Sequence, residues 1–194
     1  MFCRFKLKFD PMFKELPGLL SGSKEPSLIL DIGSGLGVPA CLLLEMFPHA
    51  QVFGLEPAPE SQRISNMAVT GQGYIELGAA PDLPAVPEPV DIALMIDMSH
   101  FLTLSQFRTT LQRIRKVMAP GATLVIRAII PPAAKPSFVW PIEELKLKIK
   151  GITPHYLSVM EITDLINETQ FNLEFTRISG DNPETVWFIA KGNQ

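Results

Sequence analysis

Hydrophobic positions fall into short unbroken runs separated by amphipathic stretches, and this alternation organises the chain. The run Leu28-Ile29-Leu30-Asp31-Ile32 ends at Gly33, as a buried parallel strand does before a tight turn. Pro39 suits a helix start, and Ala40 to Phe47 reads as an apolar helix stopping near Pro48. Gln51 to Glu56 is the second strand, Pro59 to Thr70 the second helix and Gly73 to Leu77 a short third strand. A proline-rich stretch around Pro81 to Pro89 follows as a loop. Asp91 to Ile96, apolar throughout, reads as a central fourth strand.

The second half continues the pattern. Thr103 with Gln106 forms a capping-box signal, and Phe107, Leu111, Ile114 and Met118 recur at helical spacing up to Pro120-Gly121. Ala122 to Ile130 is a fifth strand. Ser158 with Glu161 opens another helix, with Ile162, Leu165 and Ile166 on one face. Phe171 to Ile178 and Thr185 to Lys191 are β-rich, and the turn-forming run Ser179 to Pro183 lies between them. The expected fold is therefore α/β: a doubly wound, mostly parallel seven-stranded sheet, Rossmann-like, with an antiparallel C-terminal hairpin strand.

At 194 residues and 46% hydrophobic, the chain suits a single domain over 1–194. Within it, 1–27 reads as an N-terminal cap segment, 28–191 as a ligand-binding core and 131–157 as an insertion closing a pocket. A net charge of -3 gives no basic surface for a polyanion, so nucleic acid is disfavoured as a partner. No segment approaches the apolar length of a membrane span, and Met1 to Pro11 interleaves charges with apolar residues unlike a signal peptide. With only Cys3 and Cys41, a reduced, cytoplasmic setting is expected. Three dispersed histidines and two separated cysteines offer no metal cluster, so no metal is expected. Nothing in the sequence fixes an oligomeric state.

Candidate chemistry concentrates after strand one, in Asp31-Ile32-Gly33-Ser34-Gly35-Leu36-Gly37. A dinucleotide fingerprint would place Gly or Ala at position 38, which is Val38, and no lysine follows to hold a triphosphate. What remains suits a nucleoside without a pyrophosphate. Glu56, ending strand two beside this loop, can accept from both ribose hydroxyls.

The glycine loop, Glu56, the strand Asp91 to Asp97 followed by Ser99-His100-Phe101-Leu102, and Met118-Ala-Pro-Gly121 before strand five together resemble the class I S-adenosylmethionine-dependent methyltransferases, in their small-molecule branch. The resemblance covers residues 28 to 191. It implies S-adenosylmethionine as cofactor and methyl transfer to a small molecule by in-line displacement. By it, Gly33, Ser34, Gly35 and Gly37 border the methionine portion, Asp31 supports the loop or the ammonium through water, and Glu56 holds the ribose. Pro57 lies against adenine, and Asp97 joins the cofactor site. The family's usual acid after strand three falls at Ala79, so Asp82 becomes the candidate for the adenine amino group. His100, after strand four, is the candidate catalytic base, set against a histidine simply packed behind that loop.

Phe138, Trp140 and Tyr156, with Lys146, Lys148 and Lys150 alternating with apolar residues, suggest an irregular pocket-closing connection. The alternation itself is typical of a solvated edge. An anionic or acyl-bearing acceptor is the expectation from this composition. The alternative from another class is a non-catalytic subunit that keeps the fold to bind S-adenosylmethionine or a partner chain. A nicotinamide oxidoreductase ranks third because of the glycine spacing.

Overall fold

The structure, a computed structural model, describes residues 10–22, 24–87, 89–132, 136, 140–149 and 151–193. In chain order the elements are α1 (Met12–Leu20), β1 (Leu28–Ile32), α2 (Val38–Met46), β2 (Gln51–Glu56), α3 (Pro59–Ala68), β3 (Gly73–Leu77) and β4 (Val90–Ile96). A 3-10 turn (Ser99–Phe101) precedes α4 (Leu104–Val117) and β5 (Met118–Ile129). They are followed by α5 (Trp140–Ile149), α6 (Val159–Glu168), β6 (Phe171–Ser179) and β7 (Asn182–Gly192).

The seven strands form one sheet in the order β3-β2-β1-β4-β5-β7-β6. The first five are parallel, and β7 inserts antiparallel between β5 and β6, as the alternation of strands and helices predicts. Strand order reverses at β1, whose neighbours are β2 and β4, and the crevice beyond its carboxyl end is where such sheets hold ligands.

Alternation along each strand builds two cores. Leu28, Leu30, Ala93, Met95, Leu124, Ile126 and Phe188 share one with Phe107, Leu111 and Ile114 of α4 and Ile162, Leu165 and Ile166 of α6. Ile29, Val52, Ile92, Leu94, Val125 and Trp187 face the other way, against α1 and α2. Both sheet faces are therefore covered, which explains why the central strands read as unbroken apolar runs. No helix among the described residues is long and apolar enough to cross a membrane.

Within the expected N-terminal cap segment, Met12–Leu20 is a helix packed through Met12, Leu16 and Leu20; residues 1–9 lie outside the described residues. Two departures have local causes. The run around Lys148, expected as an irregular connection with a solvated edge, is α5. Its Glu, Leu and Lys residues are good helix formers, Pro141 sits in the first turn, and a few alternating positions do not override them. Phe138 and Lys150 lie outside the described residues. Finally, β5 begins at Met118 rather than Ala122. Met118 pairs with Val90 and Thr123 with Ile92, so Pro120 and Gly121 are bulged out and exposed.

Glu15 fastens α1 to the C-terminal hairpin. Its carboxylate accepts from Trp187 Nε1 (2.7 Å), Ser179 Oγ (2.6 Å) and Gly180 N (2.9 Å). Burial raises the Glu15 pKa, but these hydrogen bonds and nearby Arg177 outweigh it and hold the group below its ordinary 4.5. A depressed carboxylate stabilises the fold above its unfolded pKa, and that contribution disappears as pH falls through the folded value. E15A, which strips three donors of their acceptor, is expected to cost about 2–3 kcal/mol at neutral pH. Urea unfolding of wild type and variant checks this, and the gap between their midpoints should narrow as pH falls below the ordinary carboxylate range.

Candidate functional site

The site forms where β1 runs out into the turn Gly33–Gly37. Gly33 N and Ser34 N both donate to Leu55 O on β2 (2.9 Å each), and Gly37 N donates to Ser34 O (2.8 Å), curling the turn back over the neighbouring strand. Gly37 has φ of 77°, and a Cβ there would stand 2.9 Å from Ser65 Cα on α3. Both facts demand glycine. Gly54, on β2, is a less obvious requirement: a Cβ would overlap the Asp31 carbonyl oxygen and lie 2.7 Å from Ser34 Oγ.

The pairing of β1 with β2 brings Glu56 under this turn. One Glu56 oxygen accepts from Gly35 N (2.9 Å) and the other from Ala58 N (3.0 Å). Both the turn and the start of α3 are thus oriented by one buried carboxylate. A carboxylate has about four acceptor sites, so roughly two remain for further donors. Around Gly35, nothing lies within 4 Å of where a Cβ would stand, so the backbone is open on that side.

Asp31 is 1% exposed, and its Oδ2 is enclosed without a hydrogen-bond partner. Burial pushes the Asp31 carboxyl up to about 7, Ser34 opposes the rise and the charge of Glu56 adds to it. An enclosed acceptor of this kind fits a cationic ligand bearing N–H donors, because such a ligand supplies both the missing hydrogen bond and the opposite charge.

The remaining candidates are distributed around this centre. Pro57 follows Glu56 and is exposed. Asp97 directly follows β4 with φ of 53°, and its Oδ2 accepts from Arg127 Nη1 (3.2 Å). His100, buried in the 3-10 turn, stacks on Tyr156 (centroids 5.9 Å apart), which in turn meets Trp140 at 4.5 Å. His155 N donates to His100 O (2.7 Å), so the segment after α5 is tied to the turn after β4. Asp82 stands apart: its side chain is 80% exposed and paired with Arg113 of α4. Among the described residues, no group of three His, Cys, Asp or Glu could hold a metal ion.

Gly54 and Arg127 were not singled out by motif. An isolated glycine within Val52–Leu55 signals close backbone approach, and Arg127 is the one charge inside the apolar run Ala122–Ile130. Both signals were present in the sequence.

A doubly wound sheet with a side-chain-poor turn after β1 and a carboxylate ending β2 defines a nucleoside-binding α/β domain. Residues 30–126, half of the chain, match the model of the methyltransferase domain family. The chain belongs to that family, the class I S-adenosylmethionine-dependent methyltransferases. It is 29% identical over 114 residues to the demethylmenaquinone methyltransferase of Thermus thermophilus, covering 58% of this chain and 52% of that protein. With O-methyltransferase resE of Aspergillus sclerotiorum it shares 29% over 188 residues, covering 94% of this chain and 69% of that one. The chain spans about half the length of the first curated relatives it matches.

Among solved structures, an S-adenosylmethionine-dependent methyltransferase from Mesorhizobium loti superposes with a TM-score of 0.76 at 15% identity, covering 95% of this chain and 99% of that chain. The pyocyanin biosynthetic protein PhzM gives 0.70 at 21%, covering 93% and 54%. These two likenesses show the fold.

The raised Asp31 pKa has a consequence for stability. Between about pH 4 and pH 7 the folded protein keeps a proton that the unfolded chain releases, so this group makes stability decline as pH rises, with no further slope above about 7. D31N should remove that decline. Urea midpoints of wild type and D31N measured from pH 5 to 8 are expected to diverge, and parallel profiles would contradict the assignment.

Proposed function

We propose that this domain transfers a methyl group from S-adenosylmethionine to a small-molecule acceptor by in-line displacement. The observation that carries this is Asp31 Oδ2, an enclosed acceptor without a partner beside a turn open at Gly35. When bound, the cofactor supplies an electrophilic methyl carbon on a sulfonium.

The chain's own groups then have distinct tasks. Asp31, once ionised, accepts from the ammonium of the methionine portion, directly or through water. Gly33, Ser34 and Gly35 present backbone to the same portion, and Gly37 lets the turn close. The two acceptor sites left on Glu56 receive the ribose hydroxyls. Pro57 offers an apolar surface to adenine, and Asp97 borders the methionine end from β4. Asp82, the candidate for the adenine amino group, is exposed and paired with Arg113, so a role there would require it to leave that pair.

The acceptor enters between the turn after β4 and the segment that stacks Tyr156 on His100. Alignment and exclusion of water supply most of the acceleration in such a displacement. Where the acceptor must lose a proton, His100 takes it. Relatives named demethylmenaquinone methyltransferase and O-methyltransferase support a small organic acceptor in this role.

Titration calorimetry with S-adenosylmethionine tests the cofactor assignment, and no binding at millimolar ligand would overturn it. E56Q, which removes the charge and keeps the shape, is expected to weaken binding at least fivefold, about 1 kcal/mol, with the fold intact by circular dichroism. With an acceptor that wild type turns over, H100A should lower kcat by about a hundredfold or more while cofactor affinity stays within twofold. A near-wild-type rate would leave alignment as the whole mechanism.

A further inference from the structure

We infer that Arg127 is a positioning residue for the cofactor site, holding Asp97 and Met98 against the glycine turn from the far side of the sheet. The inference rests on the reading that S-adenosylmethionine binds at that turn.

Arg127 lies on β5, paired in register with Trp187 of β7, and its side chain is 7% exposed. Its guanidinium stands 5.5 Å over the Trp187 ring. Nη1 and Nη2 reach both oxygens of Asp10 (3.2 and 2.9 Å), a two-pronged grip on the residue that leads into α1. Nη1 also donates to Asp97 Oδ2 at 3.2 Å. Nε is enclosed without an acceptor, so among the described residues the two carboxylates set the orientation of the guanidinium.

Asp97 needs such a hold. Its φ of 53° lies in the left-handed region, which a non-glycine residue keeps only when its surroundings enforce it. Arg127 enforces it twice, since Asp97 N donates to Arg127 O (2.9 Å) while the side chains pair. The next residue is Met98, a close neighbour of Gly33: a Cβ built on that glycine would stand 3.0 Å from Met98 Cβ, so a shift of Asp97 and Met98 alters the space beside the first residue of the turn. Removing the guanidinium takes a donor from Asp97 Oδ2 and a shared positive charge from both carboxylates, which weakens the hold on this posture.

Asp10 also accepts from Met12 N (3.0 Å), so the same guanidinium anchors the start of α1. The two arms separate experimentally. R127M is expected to weaken S-adenosylmethionine binding tenfold or more by calorimetry and to speed amide exchange at Met98 and Gly33 in the ligand-free protein. R127K, which keeps the charge without the fork, should recover part of both. D10N should lower the melting temperature and leave affinity within about twofold. Equal loss of affinity in D10N and R127M would show that α1, rather than Asp97, carries the effect, and would overturn the inference.

So would a folded R127M with wild-type affinity and exchange. If neither Arg127 variant folds, the Arg127 Nε–Hε resonance of wild type decides: it should shift on saturation with S-adenosylmethionine while that of exposed Arg63 does not, and an unmoved Arg127 signal would also refute the proposal. Wild type that fails to bind S-adenosylmethionine would instead defeat the functional reading itself, whereas wild-type binding with indifferent Arg127 variants defeats this inference alone.

Discussion

The structure depends on how closely two neighbouring parallel strands approach at their carboxyl ends. The turn after β1 donates twice to Leu55 O, and it can do so only because Gly54 leaves the Asp31 carbonyl and the Ser34 hydroxyl room above β2. With that approach made, Glu56 falls under Gly35, Asp31 is enclosed, and α3 abuts Gly37 through Ser65. A methyl at position 54 would separate the strands where the ligand crevice opens, and no rearrangement of the flanking side chains could restore both contacts.

Enclosing Asp31 has an electrostatic cost that the fold accepts. A carboxyl with its pKa near neutrality and an oxygen without a donor is destabilising by itself. A positively charged ligand that donates hydrogen bonds would relieve both penalties, as the proposed role of Asp31 requires. Such local conflicts between stability and satisfaction are common where chemistry is done.

Much of this was legible in the linear sequence. The buried strands announce themselves as apolar runs because both faces of the sheet are covered, and the two helix starts at Thr103 and Ser158 carry complete capping boxes. The hairpin was equally plain, although its turn is tighter than the run Ser179 to Pro183 implies, since Ser179 already pairs with Asn182. Helix α1 was harder to see: Pro17 lies inside it, and its stability comes from a clamp to residues far along the chain. The same holds for Arg127, whose partners at positions 10 and 97 no local pattern connects. Asp82 is the opposite case, a residue named through the family resemblance whose exposed pairing with Arg113 no local pattern announces.

The bond between Glu15 and Trp187 spans 172 positions of sequence. It ties the first helix and the last strand among the described residues into a single mechanical unit, with Trp187 in the same core as Met12, Leu16 and Leu20 of α1. The apolar stripe of Met12, Leu16 and Leu20 shares its core with residues from β1, α2, β4 and β5 as well as with Trp187, so the strand inserted last in sequence completes a cover that the earlier elements begin. Loosening either partner of that bond therefore reaches both the helix and the antiparallel hairpin, although neither adjoins the other along the chain.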